Sequence, residues 1–325
     1  MFTKHFNKLS KNDVGIAGGK GASLGEMTNA KISVPEGFVV LSSAFNGFLT
    51  ENNLDKKIEK IIKEVSYEKI DQVDNASKKI RKLIYEAEFA EDIAGEIRKE
   101  FKKLDAKFVA VRSSATAEDS SSASWAGELE TYLNVTSKDL IESVKKCWSS
   151  LFTPRAIFYR FEKKLQNQKV SVAVVVQKMI QSEISGICFT VHPVTKNFNQ
   201  MVIEAGFGLG EAIVGGMITP DTYIIDKLKA KSMSSRNIGD QKSKVILEKN
   251  ISRQSIMIVR DASGIKKKKV PRDMQNEQKL TDKQIIKLSE ICFKIEKHYN
   301  KPQDIEWAFE EGKFYIVQSR PITTL

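Results

Sequence analysis

Two acids, an amide and an arginine stand at spacings that a β-hairpin would bring together near the end of the chain: Asp304, Glu306, Gln318 and Arg320. If Glu310-Glu311-Gly312 is a three-residue loop, Gly312 takes the left-handed position of a G1 bulge. Phe309 then pairs with Lys313, Glu306 with Ile316 and Asp304 with Gln318. Side chains alternate along strands, so the four polar groups share one face, while Ile305, Trp307, Phe309, Tyr315 and Val317 form the core face. Hard oxygen donors suit Mg²⁺ and a guanidinium suits phosphate. The competing reading is a solvated polar face with a local salt bridge, which antiparallel sheets commonly show.

Three further segments could meet a polyanion. Lys20 lies among glycines at a helix start, Gly18-Gly19-Lys20-Gly21, where backbone and ammonium can approach phosphate oxygens closely. This is not a Walker A loop, since Val14 occupies the first glycine position and Gly21 the Ser/Thr position. A flexible turn remains the alternative. Arg112 leaves the apolar strand Phe108–Val111 and enters RSSATAEDSSSASWAGELETYLNV, a run of small hydroxyl residues able to close over a triphosphate. The cluster from Glu204 to Glu211 spaces its glycines GxGxG and misses the dinucleotide fingerprint. His5, His192 and His298 sit in dissimilar contexts, with no Ser/His/Asp arrangement.

The elements that must hold these groups read as α+β. Helical spacing marks Ile58–Val65, Ile80–Ala87, Ile93–Leu104 and the stretch from Lys138 to Leu151; Thr281 and Gln284 predict a capping box before Ile285, Leu288, Cys292 and Ile295. Strands are expected at 170–180 and 186–191 about a polar turn Gln181–Ser185, at 201–203, 222–225, 305–309 and 313–319. Strands in hairpins with scattered helices argue against a regular βαβ alternation. The lysine-rich tract 227–280 is expected to hold weak strands at 245–247 and 256–259 between mobile loops.

With 325 residues, 41% hydrophobic and 29% charged, the composition is globular and excludes disordered and collagen-like chains. The apolar run Val172–Val176 is far too short to span a bilayer, and MFTKHFNKLSKND has no apolar signal core. Cys147, Cys188 and Cys292 are odd in number and never in CxxC spacing, which fits a reducing cytoplasm better than a disulfide or zinc framework. The net charge of +11, densest at Lys266-Lys267-Lys268-Lys269, suits a polyanionic substrate or nucleic acid. RNA-module signatures are missing, so the run reads as a solvated loop and nucleic acid is not expected as a partner.

Taken together, GGKGASLGEM, VPEGFVV, VRSSATAEDSSSASWAGELETYLNV, CWSSLFTPRAIFYR, VVVQKMI, SGICFT, GFGLGEAIVGG and QDIEWAFEEGKFYIVQSRPITTL resemble the ATP-binding module of the pyruvate dikinases. That family holds phosphoenolpyruvate synthase, pyruvate phosphate dikinase and rifampicin phosphotransferase. The resemblance implies an ATP-grasp fold in which two α+β lobes, about 1–200 and 201–325, clamp the nucleotide between antiparallel sheets. It implies that Lys20 and Arg112 hold phosphates, that Gly127 and Thr131 belong to the mobile loop, and that Gln177 lies at the adenine hinge. Glu306 and Gln318 would bind Mg²⁺ with Asp304 beside them, and Arg320 would bind phosphate. Trp125 and Glu128 depart from the Phe and Gln common there. The resemblance also implies phosphoryl transfer from ATP to a carrier histidine on a separate domain or partner. None of the three histidines fits that carrier, so the carrier and acceptor domains are expected outside this chain. A drug-phosphorylating relative and a non-catalytic nucleotide-binding module are the alternatives.

Overall fold

The computed structural model describes residues 1–116, 129–165, 170–233, 245–261 and 264–323. Helices and wholly antiparallel sheets are mixed, the α+β class. The chain divides into two compact units, Met1–Asn29 with Glu36–Met179, and Ala30–Pro35 with Ile180–Leu325. This division falls earlier than the boundary near 200, which would have cut the loop joining two paired strands of the second unit.

The first unit comprises β1 (Thr3–His5), α1 (Val14–Asn29), β2 (Gly37–Val40), α2 (Ser42–Glu51), α3 (Leu54–Lys63), α4 (Ile70–Glu86), α5 (Glu91–Leu104), β3 (Val109–Ala115), β4 (Thr131–Val135), α6 (Leu140–Ser149), α7 (Pro154–Glu162) and β5 (Val172–Lys178). Its sheet runs β1-β2-β5-β3-β4. One face carries Phe38, Val40, Val109, Val111, Val174 and Val176 into a core with Phe45, Phe48, Ile80, Ile84, Ile93, Ile97 and Trp148. The 3.6-residue spacing of those isoleucines is what turns α4 and α5 toward the sheet. Trp148 anchors this core, stacked on Phe89 with centroids 5.0 Å apart. The opposite face is covered by α1, where Gly21 lies against Val39. Being central and covered on both faces, β5 loses apolar–polar alternation over most of its length, hence the apolar run Val172-Ala173-Val174-Val175-Val176.

The second unit comprises β6 (Ile184–Phe189), β7 (Gln200–Phe207), α8 (Glu211–Val214), β8 (Asp221–Asp226), α9 (Lys227–Met233), β9 (Ile246–Asn250), β10 (Ile256–Asp261), β11 (Gly264–Lys269), α10 (Asp282–Tyr299), β12 (Gln303–Glu310) and β13 (Lys313–Pro321). Six strands form the sheet β13-β12-β6-β7-β8-β9, and β10-β11 form a separate ribbon. The expected capping box of α10 is present: Thr281 N–H donates to Gln284 Oε1 at 2.8 Å, and Gln284 N–H to Thr281 Oγ1 at 3.4 Å. Apolar Leu288, Cys292 and Ile295 of α10 are fully buried, and the helix lies against β7 and β12.

Two expectations are corrected. The strands at 170–180 and 186–191 are not a hairpin; β5 and β6 belong to different sheets, and the polar residues between them carry the chain from one unit to the other. The terminal turn is also one residue shorter than expected. Glu310 pairs with Lys313, leaving Glu311 and Gly312 at φ 48° and 77°, the two positive dihedrals of a type I′ turn. Phe309 therefore faces Phe314, and the core residues of β13 are Phe314 and Ile316, not Tyr315 and Val317.

Candidate functional site

In the first unit, Lys20 is positioned by a break inside α1. Gly18 adopts φ 68°, ψ 173°, a conformation only glycine tolerates readily. The helix restarts immediately after it, so Lys20 emerges in the first turn of the new segment. Ser114 of β3 fixes that turn: its Oγ donates to Ala17 O at 3.0 Å and accepts from Gly21 N–H at 3.2 Å. Gly18 is so close that a Cβ there would lie 2.3 Å from the Ser114 carbonyl oxygen.

Ser114 is two residues from Arg112 on the same strand face. Arg112 stands opposite Thr131 of β4 on one side and Val175 of β5 on the other. Gln177, two residues beyond Val175, shares that face and pairs with Ala110 and Gly37. Register thus gathers Arg112, Thr131 and Gln177 on the face that α1 covers and from which Lys20 rises. Arg112 is buried, Thr131 is exposed, and Gln177 is 2% exposed with an Nε2 that finds no hydrogen-bond partner among the described residues. A buried amide N–H left unpaired is unusual. Gly127, with Trp125 and Glu128, lies outside the described residues.

Glu130, just before Thr131, was not singled out by sequence reasoning. Its carboxylate receives Arg81 Nη1 at 2.9 Å and Nη2 at 3.3 Å, and Tyr132 OH. Its backbone oxygen accepts from Ser113 N–H and Oγ at 3.2 and 2.9 Å. Arg81, from α4, is thereby part of the frame that holds the start of β4. Nearby Cys147 is fully buried, and burial pushes its thiol up to about 12, against the lowering effect of Ser113 and a smaller one of Lys20.

In the second unit, Asp304 pairs in register with Arg320 and Glu306 with Gln318, so all four share one face. Arg320 Nε and Nη2 donate to Asp304 Oδ2 at 2.9 and 2.7 Å. On the other side of β12, Glu306 stands opposite Ile187 of β6, which in turn stands opposite Glu204 of β7. Glu204 thus joins the polar face, about 10 Å from Glu306 at the usual strand spacing. Burial raises the Glu204 carboxyl above its ordinary range, and the Asp304 charge adds to the rise. Burial likewise raises Asp304, against the lowering pull of Arg320, with Glu306 pushing it further up. The sequence signal for Glu204 was available: an acid on the same strand face as Val202, immediately before the glycine cluster.

The glycine cluster itself is held within the second unit. Gln254 accepts from Phe207 N–H at 2.8 Å and donates to Phe207 O at 3.0 Å, while Ser182 and Ser185 both donate to Gly208 O. The histidines lie elsewhere: His5 pairs with Glu100 at 2.5 Å, His192 Nδ1 accepts two backbone N–H groups of its own loop, and His298 lies in the last turn of α10.

Among the described residues, no three His, Cys, Asp or Glu side chains converge to form a metal cage. Mg²⁺ takes one or two protein oxygens and completes its shell with phosphate and water. Facing Glu306 and Gln318, with the raised carboxyls of Asp304 and Glu204 nearby, fit that demand.

The family model for the AMP/ATP-binding domain of pyruvate phosphate dikinase matches residues 14–325. The chain belongs to that family. This dikinase-type domain is 48% identical, over its full length, to a probable phosphoenolpyruvate synthase of Methanocaldococcus jannaschii, covering 27% of that protein. It is 42% identical to phosphoenolpyruvate synthase of Pyrococcus furiosus over 100% of the chain and 44% of the relative. It is 37% identical to rifampicin phosphotransferase of Bacillus subtilis over 98% of the chain and 36% of the relative. The domain therefore spans less than half the length of these relatives. None of its described helices is long and apolar enough to cross a membrane.

Proposed function

We propose that the chain is the ATP- and Mg²⁺-dependent phosphotransferase module of a cytoplasmic enzyme of phosphoenolpyruvate synthase type, folded as an ATP-grasp. It transfers phosphate from ATP to a histidine carried on another domain or partner. Its two lobes are the two compact units, with their boundary at 179/180. The observation that carries this reading is the register of β12 with β13, which sets Glu306 opposite Gln318 and Asp304 opposite Arg320.

In this reading Lys20 and Arg112 bind the phosphates, Thr131 and Gly127 belong to the loop over them, and Gln177 presents its unpaired amide to the adenine. Glu306 and Gln318 would hold Mg²⁺, which when bound would supply positive charge to neutralise the phosphates. Asp304 fixes the Arg320 guanidinium by two hydrogen bonds, and Arg320 contributes positive charge toward phosphate. Phosphoryl transfer needs little covalent help, so positioning and fixed positive charge supply the catalysis.

Replacing Lys20, Arg112 or Arg320 by Ala is expected to abolish nucleotide-dependent phosphotransfer to an added carrier domain, with unchanged circular dichroism. Full activity in any two of the three sinks the assignment. Glu306→Ala should erase the Mg²⁺ dependence of ATP binding in calorimetry; an unchanged titration contradicts the metal role. A drug hydroxyl as final acceptor is the second reading, and the higher identity to phosphoenolpyruvate synthases favours the first.

A further inference from the structure

The lysine run expected as a solvated loop is instead an ordered strand. β11 pairs with β10 from Ile256↔Lys269 to Asp261↔Gly264, and this two-stranded ribbon stands apart from the six-stranded sheet. Lys266, Lys267, Lys268 and Lys269 stand opposite Val259, Ile258, Met257 and Ile256 in turn, so no acid faces them in register. All four lysines are exposed, and Lys267, Lys268 and Lys269 make no ion pair among the described residues. The other strand is held down: Ile258 is buried and its carbonyl accepts Leu209 N–H at 2.8 Å. One edge of the ribbon is anchored to the body, and the edge strand carries four consecutive positive charges over about 10 Å at the usual rise per residue.

We propose that this ribbon is a binding surface for the phosphodiester backbone of nucleic acid, read without sequence preference. The chemistry of its residues selects that ligand over other anionic surfaces. Protein interfaces are depleted in lysine and rely on Trp, Tyr and Arg anchors, and the ribbon presents none of these on its lysine strand. Membrane-surface elements pair their cations with exposed apolar side chains; here Ile256, Met257 and Val259 are half-buried. Flexible lysine stems on a protruding ribbon suit phosphate contacts, and the absence of aromatic side chains leaves nothing to stack on bases. A two-stranded ribbon also fits the width of a duplex major groove. The chain's net charge of +11 adds long-range attraction.

Edge protection is the competing role, because lysine on an edge strand also discourages strand addition. Charge reversal separates the two, since glutamate protects an edge as well as lysine does. The test measures binding of a fluorescein-labelled random-sequence DNA duplex by anisotropy at several salt concentrations. Three proteins are compared: the parent chain, Lys267→Glu/Lys268→Glu/Lys269→Glu, and Lys56→Glu/Lys57→Glu/Lys60→Glu on α3, which changes the net charge equally. The parent is expected to bind with a steep negative salt slope. The ribbon variant should lose at least tenfold in affinity, with the log–log slope shallower by roughly 2 to 3, at about 0.9 for each phosphate no longer neutralised. The α3 variant should keep the parent slope. A Gln triple at the ribbon positions checks that the loss follows the charge if the Glu triple unfolds. Equal loss in both triples, undiminished binding by the ribbon variants, no duplex binding at low salt, or binding to phosphatidylserine vesicles without duplex binding would each overturn the proposal.

Discussion

Gly15 lies in the helical turn before the break and Gly18 at the break itself, so alanine should destabilise at Gly18 and be neutral or stabilising at Gly15. At Gly18 the backbone sits at φ 68°, ψ 173°, a region essentially restricted to glycine, so alanine carries about 1–3 kcal/mol of strain. Its Cβ would also lie 2.2 Å from Ser114 Oγ, 2.3 Å from Ser114 O and 2.5 Å from Ser114 C. Two of those atoms are backbone of β3, which is paired on both sides and cannot give way cheaply. Overpacking adds about another 1–3 kcal/mol, for a total loss of roughly 2–6 kcal/mol. Ser114→Ala should not rescue it, because the carbonyl clash remains. At Gly15 a Cβ meets nothing within 4 Å, and alanine should be neutral or stabilise by up to about 1 kcal/mol through helix propensity. Urea unfolding gives the two stabilities, and hydrogen exchange of peptides from α1 and β3 assigns the change to the first unit. In the proposed function Gly18→Ala also displaces Lys20 and weakens ATP binding while Gly15→Ala does not. If the two variants unfold within about 0.5 kcal/mol of each other, below the strain predicted for Gly18, the break that positions Lys20 is wrong.

Arg81→Ala removes two charge-assisted hydrogen bonds from Glu130 and should cost about 1–2 kcal/mol in urea unfolding, with Arg81→Lys recovering only part because the forked geometry is lost. Lys279→Met leaves the Asp221 carboxylate without its counter-charge, wholly buried and formerly 2.9 Å from the ammonium; a loss of about 3–5 kcal/mol is expected. The Asp221→Asn/Lys279→Met double variant should regain only part of it, because both carboxylate oxygens also accept backbone N–H groups, of Ser252 and Lys279, and an asparagine amide offers only one acceptor. A loss under about 1 kcal/mol for the single change would mean that the charge is not sealed from water. The raised carboxyls of Glu204 and Asp304 favour the protonated folded form, so their contribution to stability is full below the ordinary carboxylate range and is lost as pH rises through their raised values. Glu204 and Asp304 border the proposed ligands Glu306 and Gln318, and a cation bound there favours their ionised forms, so Mg²⁺-dependent ATP binding should weaken on acidification before ordinary carboxylates titrate, with protons released on binding. Calorimetry in buffers of different ionisation enthalpy reads that release, and a buffer-independent heat throughout the acid range counts against the site.

Much of the fold was legible because periodicity and capping are local. The isoleucine spacings of α4 and α5, and the Thr281–Gln284 box of α10, needed no tertiary information. Where partners were decided at long range, reading failed. Nothing local distinguishes Val172–Val176 as the centre of one sheet from the first arm of a hairpin with β6, because a strand buried on both faces loses its alternation. Arg81 was invisible for the same reason: its role depends on meeting Glu130, forty-nine residues away in sequence. Glu204 stands at the head of its glycine cluster, yet only the register through Ile187 relates it to Glu306.

The polar face of the terminal hairpin was expected from a turn that does not exist, and it is nonetheless there. With the observed two-residue turn, simple alternation would pair Ala308 with Tyr315 and carry Glu306 opposite Val317, placing Gln318 and Arg320 on the core side. The ladder shifts between Glu306 and Trp307, where Val317 is the extra residue of a β-bulge, and beyond it Glu306 faces Gln318 and Asp304 faces Arg320. Two departures from the expected register, one at the turn and one at the bulge, cancel in parity. Below the bulge the core demands Phe314 and Ile316 inward; above it the chemistry demands Gln318 and Arg320 outward on the acids' side. A regular strand cannot satisfy both, since the even positions would have to point both ways. The bulge is therefore the element that lets one strand serve the core at its start and the site at its end, as bulges beside functional sites commonly re-aim side chains.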